Sequence, residues 1–389
     1  MNTTYPNVMS EHGLFYLDVP PPSTGLRVMN KTFLSIIEGE LDYDQLNVAA
    51  GTSGVKPVDG GGLRKLNFFF GRGIETLSSQ LELRSYLSEN RYQILYFAVS
   101  DSVPGLVRNL ATASAGRKND CRVISHVHSG AFTNLFEQKG IAWLARKFEK
   151  IVDTFVFLSP KLRDEATSNI PRSKCEVVPN TLDDGVRCKA HEVECKVENR
   201  ETCDEIRVLY LSNMIESKGY WDVAKAVRQF VTEDTTEITV NFIGAWPSEK
   251  ARCSFERKLQ SYGLGDTARV HGKIEDRIRV RQAYLDADVF VLPTYYATEA
   301  QPVTIIEAMN AATPVIATPH ASIPEYVNDN ENGYLVDKKS PGQINDRLKL
   351  LTDTENWKRK ARAARRTYED EFAPKAVREK FLSVLRGEK

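Results

Sequence analysis

Two glutamates separated by seven residues, Glu299 and Glu307, are the side chains of this sequence best placed to do chemistry. They stand in the segment PTYYATEAQPVTIIEAMN, residues 293–310. The apolar run VFVLP leads into this segment, and the alternating apolar run VTIIEAM follows Pro302. Proline suits the first turn of a helix because its missing N–H would have no intrahelical partner there. The pattern predicts a buried strand, a polar loop with Glu299, and a helix whose first turns carry Glu307.

This arrangement favours the binding of a phosphate flanked by sugar hydroxyls. Open parallel sheets bind ligands at the carboxyl ends of their strands, and a helix N-terminus offers free N–H groups to an anion. We therefore predict that the backbone N–H groups of Val303 and Thr304 hold phosphate oxygens, with two carboxylates close by as acceptors. The alternative is a purely structural strand and helix, in which Glu299 is a solvated cap.

A second loop offers a positive charge. Lys218 precedes Gly219 at the start of a predicted helix. A cation at that end opposes the helix dipole and is mildly disfavoured. Its position therefore favours a role in binding phosphate, although a solvated lysine is the simpler alternative.

These segments resemble the retaining family 4 glycosyltransferases, which have the GT-B fold. The glutamate pair resembles the E-x7-E signature of that family, and VLYLSNMIESKGYWDVAKAV (208–227) resembles its Lys-Gly phosphate site. ATPVIATPHASIPEYVNDNENGYLVD (312–337) resembles its tail pattern. VISHVHSG (123–130) and VPPPSTG (19–25) stand where the family has a histidine-bearing strand end and its first glycine loop. The resemblance is densest from Arg207 to Asp337.

The resemblance implies an α/β protein with two Rossmann-like domains whose parallel sheets face an interdomain cleft. It implies transfer of a hexose, with retention of configuration, from a nucleotide diphosphate sugar, with a UDP-sugar favoured. The implied acceptor is a glycan, a glycolipid or a polysaccharide intermediate. The resemblance implies neither a cofactor nor a catalytic metal.

The resemblance also implies roles for individual residues. Lys218 would neutralise the diphosphate, Glu307 would bind the ribose hydroxyls, and Glu299 a hydroxyl of the donor sugar. His128 would contact the donor sugar and help shape the transition state, which makes His128, Lys218 and Glu299 the catalytic set. The other implied donor-binding positions are Gly25, Asn213, Gly244, Gly272, Ile274, Gln301, Pro302, Val303 and Thr304.

Asn213 departs from the family pattern, because most members carry arginine five residues before the lysine. Asparagine brings no charge to the phosphates, which puts phosphate affinity and activity in doubt unless another cation, such as Arg27, replaces it. A non-catalytic nucleotide-sugar-binding protein is therefore one alternative function. A nucleotide-sugar epimerase of similar architecture is another, and it would turn over donor without any acceptor.

The composition describes a globular protein. The 389 residues are 41% hydrophobic and 27% charged, and the formal net charge of zero gives no global attraction to nucleic acid. The first residues, MNTTYPNVMSEHG, lack the basic and apolar regions of a signal peptide, so we expect a cytoplasmic protein. The basic run WKRKARAARR, residues 357–366, would suit peripheral association with the inner membrane surface, although such runs are more often solvated faces.

Apolar runs of strand length alternate with amphipathic runs along the chain, which predicts βα units with parallel sheets. Among them are strands over residues 46–50 and 65–70 and a helix over 135–150. We predict an N-terminal acceptor-binding domain over residues 1–190, a charged linker over 191–205 and a C-terminal nucleotide-sugar domain over 206–370. The remaining residues, 371–389, are predicted to form a helix that can cross back to the N-terminal domain.

Three other motifs carry weaker signals. Cys188, His191, Cys195 and Cys203 are spaced C-x2-H-x3-C-x7-C and could hold zinc, but free thiols in a linker are the favoured interpretation. The triplet Asp286-Ala-Asp288 resembles a metal motif, yet a helix cap and a turn explain it more simply. Gly71-Arg-Gly73 lacks the third glycine of a dinucleotide loop.

Overall fold

The chain forms two compact units in the computed structural model, which describes residues 12–20, 25–48, 77–200 and 205–388. The first unit comprises the chain up to Val178 together with the segment from Arg378 onward. The second unit comprises Pro179–Val377. Each unit is built on its own parallel sheet with helices, as the alternation of apolar and amphipathic runs predicts.

The described strands of the first unit pair in parallel in the order β2-β1-β3-β4-β5-β6. These strands are β1 His12–Leu17, β2 Asp42–Asn47, β3 Ile94–Val99, β4 Arg122–Val127, β5 Thr154–Phe157 and β6 Cys175–Val177. The helices are α1 Gly25–Ile37, α2 at 77–89, α3 Val103–Lys118, α4 Ala142–Ile151 and α5 Pro160–Ala166. Strands β3 and β4 are almost entirely buried, because helices cover both faces of a parallel sheet.

The second sheet has the order β9-β8-β7-β10-β11-β12, and all of its described pairs are parallel. Its strands are β7 Glu205–Leu211, β8 Glu237–Ile243, β9 Ala268–His271, β10 Val289–Leu292, β11 Val315–Ala317 and β12 Gly333–Leu335. Its helices are α6 Ala190–Glu198, α7 Tyr220–Glu233, α8 Glu249–Ser261, α9 Arg277–Asp286, α10 Val303–Asn310, α11 Pro341–Leu350 and α12 Thr354–Thr367. Numbered within the unit, this is the doubly wound order 3-2-1-4-5-6, whose winding direction reverses between β7 and β10.

The two-domain, parallel-sheet fold class predicted from the sequence is confirmed. The domain boundaries lie elsewhere, however. The second unit already begins at Pro179, and the predicted linker contains α6, whose Val193 and Val197 are buried in the core of that unit. Glu194 and Glu198 of this amphipathic helix are exposed and contribute to the linker-like appearance of the sequence, whereas Lys196 donates to the Tyr284 carbonyl at 2.9 Å.

The structure also corrects two element predictions. The predicted helix over 135–150 is interrupted, because Gly140 adopts φ 86° between a 3-10 turn at Phe132–Phe136 and α4. The strand predicted at 46–50 begins earlier, at Asp42, where exposed polar side chains hide the alternation that marks a strand. The strand predicted at 65–70 lies outside the described residues.

The last helix, α13 (Pro374–Arg386), runs into the first unit. The Phe381 ring lies 5.1 Å from Phe33 and 5.3 Å from Tyr96, measured between centroids, and Arg122 donates to the Val384 carbonyl at 3.0 Å. None of the helices in the described ranges is long and apolar enough to cross a membrane.

Candidate active site

The loop after β7 is held against the loop after β10 by a glycine. A 3-10 turn at Glu216–Lys218 ends at Gly219, which has φ 86°, and α7 starts at the next residue. A Cβ on Gly219 would lie 2.5 Å from the carbonyl oxygen of Pro293. Only glycine satisfies both this backbone angle and this approach. The Tyr295 amide also donates to the Ser217 carbonyl at 2.8 Å, so the two loops meet where the winding of the sheet reverses.

This contact brings two predicted site residues together. Lys218 Nζ lies 2.5 Å from Glu299 Oε2, and the two side chains are only 13% and 9% exposed. Thr294 Oγ1 donates to the same carboxylate oxygen at 3.2 Å. The lysine also stands over the Tyr296 ring, 4.8 Å from its centroid. Two residues that are 81 positions apart in the sequence are thus hydrogen-bonded at the carboxyl edge of the sheet.

The N-terminus of α10 is open beside this pair. The helix begins at Val303 after Pro302, and no side chain caps it within the described residues. The first N–H groups of a helix have no intrahelical partner, so those of Val303 and Thr304 stay available to an anion. Proline cannot supply a capping oxygen itself, which leaves these donors free.

Glu307, which is predicted to bind the ribose hydroxyls, already contacts two side chains of the protein. Arg277 Nη2 donates to its Oε1 at 2.7 Å, and the Tyr284 hydroxyl donates to its Oε2 at 2.9 Å. The glutamate side chain is only 4% exposed. Each carboxylate oxygen can accept a second hydrogen bond, so these partners orient Glu307 without exhausting its acceptors. A ribose hydroxyl would therefore add to an existing network.

The partners of Glu307 keep fixed protonation states. Burial disfavours the charge of Arg277, but the Glu307 and Asp183 carboxylates outweigh this effect and raise the pKa of Arg277. Arg277 Nε also donates to Asp183 at 2.9 Å. Burial, together with the nearby Glu307, holds the pKa of Tyr284 well above its ordinary value. Near neutral pH the carboxylate therefore faces a cation and a neutral hydroxyl donor.

Two predicted donor-binding residues make close contacts within the protein. The Gln301 side-chain oxygen accepts from the Asn180 amide at 2.7 Å, so this oxygen tethers the start of the second unit. A Cβ on Gly244 would collide with the Ser212 carbonyl. The glycine therefore accommodates neighbouring main chain.

The remaining predicted positions of the second unit are more open. A Cβ on Gly272 would meet no atom within 4 Å, and the carbonyl of this glycine accepts from the Gly244 amide at 3.3 Å. Ile274 is half-buried against the core. Asn213 is exposed, which leaves room for the larger arginine that the family usually has.

The first unit contains the predicted histidine at the end of β4. The His126 and His128 rings stack with centroids 4.2 Å apart, and His126 Nδ1 lies 2.5 Å from the Tyr96 hydroxyl. His126 is fully buried, which indicates a structural role. Burial lowers the pKa of His128 to about 4, and its Nε2 has no hydrogen-bond partner among the described residues. His128 is therefore a neutral group with one unused polar atom.

The other predicted residues of the first unit are only partly covered. Gly25 is the first residue of α1, and the preceding residues 21–24 lie outside the described chain. Arg27 Nε pairs with Asp18 at 2.8 Å within the first unit. The guanidinium suggested as a replacement for the missing arginine is therefore engaged with a carboxylate.

Neutral His128 gives a prediction for acid stability. Its folded pKa lies below the ordinary 6.5, so the unfolded chain takes up the proton first. Stability is therefore complete above about pH 6.5 and is lost as the pH falls toward 4, by roughly 3 kcal/mol for a shift of this size. His128→Gln removes this titration, so its Tm should fall less than that of the wild type across the window. Equal losses of Tm in stepped-pH thermal unfolding would contradict the assignment.

The candidate metal motifs have other roles or remain incomplete. Cys188 is buried and contacts Asn310, Cys195 is exposed, and Cys203 lies outside the described residues. Asp288 lies in a bend directly before β10, and its buried carboxylate is the centre of an ion-pair network with Arg200 and Arg207. No group of three or more His, Cys, Asp or Glu side chains that could hold a metal occurs in the described residues. Gly71 and Gly73 also lie outside the described part.

Several residues that build the site were missed at the sequence level. Thr294 and Tyr296 contact the Lys218–Glu299 pair, while Arg277 and Tyr284 contact Glu307. His320, from the loop after β11, holds the Tyr296 carbonyl at 2.8 Å. Of these residues, only Thr294 and Tyr296 lie in the segment that carries Glu299 and Glu307, and that proximity in sequence is the signal that could have identified them.

Two family models match the chain, one for each half. "Glycosyltransferase Family 4" matches residues 48–185, and "Glycosyl transferases group 1" matches residues 194–370. The chain belongs to the GT-B glycosyltransferases. The second model covers Lys218, Glu299 and Glu307, so the site described above lies within the matched region.

Individual relatives are more distant. A protein of Escherichia coli K12, provisionally named a colanic acid biosynthesis glycosyltransferase, is 26% identical over 188 residues. That alignment takes in 47% of this GT-B chain and 45% of the relative, so the chain spans about half the relative's length. Sucrose-phosphate synthase from Thermosynechococcus elongatus has the same fold, with a TM-score of 0.73 at 15% identity over 97% of this chain and 99% of that one. Anabaena HepE in complex with UDP-glucose has a TM-score of 0.71 at 13% identity over 96% and 99%.

Proposed function

We propose that this protein is a retaining glycosyltransferase that moves a hexose from a nucleotide diphosphate sugar to a glycan, glycolipid or polysaccharide-intermediate acceptor. One observation carries the proposal. Lys218 and Glu299 meet at the point where the sheet reverses its winding, beside the open N-terminus of α10. A cation and free N–H groups suit a diphosphate, and a carboxylate suits a sugar hydroxyl.

Each group has a distinct part in the transfer. The bond between the anomeric carbon and the diphosphate oxygen breaks, and negative charge develops on the departing phosphate. Lys218 and the N–H groups of Val303 and Thr304 stabilise that charge. The acceptor oxygen attacks from the same face, and its proton passes to a phosphate oxygen. Retention follows because the new bond forms on the side that the leaving group vacates.

The carboxylates hold the donor during this step. Glu299 accepts a hydroxyl of the sugar once the phosphate has become the partner of Lys218. Glu307 accepts a ribose hydroxyl in an orientation set by Arg277 and Tyr284. His128, being neutral, serves the donor sugar as a hydrogen-bonding group and not as an acid.

The relatives support the choice of substrates. HepE of similar fold has been solved with UDP-glucose, which favours a UDP-sugar over other nucleotide sugars. The Escherichia coli relative is named for colanic acid biosynthesis, which favours a surface-polysaccharide intermediate as acceptor.

A thermal-shift screen of nucleoside diphosphates and their sugars tests the donor. A ligand at one hundred times its Kd stabilises the protein that binds it by about 2.7 kcal/mol. We expect UDP and a UDP-sugar to raise the Tm, and the same donor to be consumed when a lipid-linked or oligosaccharide acceptor is added. Donor turnover without acceptor would instead identify an epimerase.

One observation favours a second candidate, a nucleotide-sugar-binding protein without catalysis. Asn213 is exposed and uncharged where the family usually has arginine, so the diphosphate loses one cation. Binding of UDP-sugar with neither hydrolysis nor transfer across a panel of acceptors would support this candidate.

Metal independence is a separate prediction. The proposed charge stabilisation comes from Lys218 and the α10 N-terminus, so transfer should continue at an unchanged rate in EDTA. Loss of activity that manganese or magnesium restores would contradict it. Restoration by zinc alone would direct attention to Cys188, Cys195 and the neighbouring His191 and Cys203.

A lipid-linked acceptor would bring the enzyme to a membrane surface, and we propose peripheral association there. The basic run of α12 offers little free charge for this purpose. Lys360 is buried and donates to the Asn330 carbonyl, Arg362 pairs with Glu198, and Arg365 pairs with Glu369. Of the six cations of this run, only Arg359 and Arg366 are exposed without an ion-pair partner in the described residues, so we expect a stronger membrane-binding surface elsewhere.

A further inference from the structure

Helix α4 of the first unit carries an exposed tryptophan. Trp143 is 62% exposed, whereas Trp221 and Trp246 are half-buried and Trp357 is fully buried. Its indole N–H donates to the Gly140 carbonyl at 3.0 Å, so the polar atom is satisfied while the ring faces solvent. Tryptophan combines a large apolar ring with a polar edge, which suits the boundary between water and lipid.

The opposite face of α4 anchors the helix in the core. Ala145 and Phe148 are buried, and the Phe148 ring lies 5.6 Å from Phe155 and 6.2 Å from Phe97. The exposed side chains therefore have a fixed direction set by a rigid element.

Three cations share the exposed face with the tryptophan. Arg146, Lys147 and Lys150 are all exposed, and together with Trp143 they occupy positions i, i+3, i+4 and i+7 of the helix. We call these four residues the α4 face. None of its three cations has an ion-pair partner within the described residues, because the one acidic residue of the helix, Glu149, pairs with Lys174 at 3.0 Å. Glu137, before the helix, is exposed but is balanced locally by Lys139.

The contrast with α12 decides between the two basic helices. Most cations of α12 are held by carboxylates or carbonyls of the protein, and its one tryptophan, Trp357, is buried with its indole N–H on the Asp288 carbonyl. The α4 face keeps its charges and its aromatic ring available. The sequence run with the highest basic density is therefore the poorer membrane-binding surface.

We propose that the α4 face docks the protein on an anionic phospholipid bilayer, with Trp143 at the headgroup level and the three cations on lipid phosphates. Charge complementarity selects this partner, since three unpaired cations around one aromatic ring match an anionic surface with an apolar layer beneath it. The inference is independent of donor chemistry and would stand if the proposed transfer failed.

Flotation of the full chain with vesicles tests the proposal, without nucleotide sugar present. We expect binding to vesicles that contain phosphatidylglycerol, weak binding to pure phosphatidylcholine vesicles, and loss of binding at high salt. Each cation near an anionic surface strengthens binding roughly fivefold, so Lys147→Gln with Lys150→Gln should weaken it on the order of 25-fold. The emission of Trp143 should shift to the blue on these vesicles, and Trp143→Phe should abolish that shift.

A matched variant on α12 controls for net charge. The double variant Arg359→Gln with Arg366→Gln removes two positive charges from exposed positions of α12, the same number as the α4 double variant. It should leave flotation nearly unchanged. Equal loss in both double variants would reduce the effect to net charge and overturn the assignment to α4. Absence of wild-type binding to anionic vesicles would overturn it too, as would a change of oligomeric state in Trp143→Phe, which would identify a second copy as the occupant.

Discussion

Replacing Lys218 with alanine should lower kcat/KM by about 10²- to 10³-fold, or roughly 3–4 kcal/mol, the usual cost of removing one group that stabilises transition-state charge. The lysine lies 2.5 Å from Glu299 and next to the open N-terminus of α10, where the departing phosphate would develop its charge. An interaction that strengthens as the bond breaks affects turnover more than binding. The Kd of UDP should therefore rise much less than kcat/KM falls, as measured by calorimetry and steady-state transfer.

Two variants control this result. Lys218→Arg keeps the charge and should retain part of the activity. Asn213→Arg adds the cation that the family usually carries at an exposed position, so it should bind UDP at least as tightly as the wild type. Unchanged turnover in Lys218→Ala would remove the phosphate role from this residue.

Exchanging each glutamate for glutamine should separate nucleotide binding from sugar transfer. Glu307→Gln should weaken UDP binding by on the order of 1.5–3 kcal/mol, the contribution of a hydrogen bond to a charged group. Glu299→Gln should leave UDP affinity nearly intact, because UDP lacks the donor sugar that Glu299 is proposed to contact, and should impair transfer of the sugar. Calorimetric titration with UDP and a transfer assay measure the two effects separately.

The network around Glu307 supplies the control. Tyr284→Phe keeps the carboxylate and Arg277 but removes the hydrogen bond to Oε2. It should weaken UDP binding by a smaller amount than Glu307→Gln. Similar loss of UDP affinity in Glu299→Gln and Glu307→Gln, with normal Tm, would contradict the division of roles.

Much of the fold could be predicted because parallel strands that are buried on both faces have continuous apolar sequences. VFVL at β10 is buried at every position, as its apolar sequence predicts. Elements without that signal were harder. The polar strand β2 and the charged helix α6 are defined by their neighbours in three dimensions, and neither carries an apolar run long enough to identify it.

The part of the candidate site that could be predicted is the part whose residues are contiguous in sequence. Glu299, Pro302 and the α10 N-terminus stand in one segment, so their juxtaposition follows from strand, loop and helix. The contacts of Glu307 could not be predicted in the same way. Arg277 and Tyr284 contact Glu307 from α9, and the sequence of that helix does not show which of its faces packs against α10.

The course of α13 has a consequence for synthesis on the ribosome. Phe381 completes the aromatic cluster around Phe33 and Tyr96, next to His126 of β4. The nascent chain must therefore pass through all of Pro179–Val377 before the side chain that closes the core of the first unit is made. We therefore expect the core of the first unit to be completed only after the second unit has been synthesised, although most of the first unit is translated earlier.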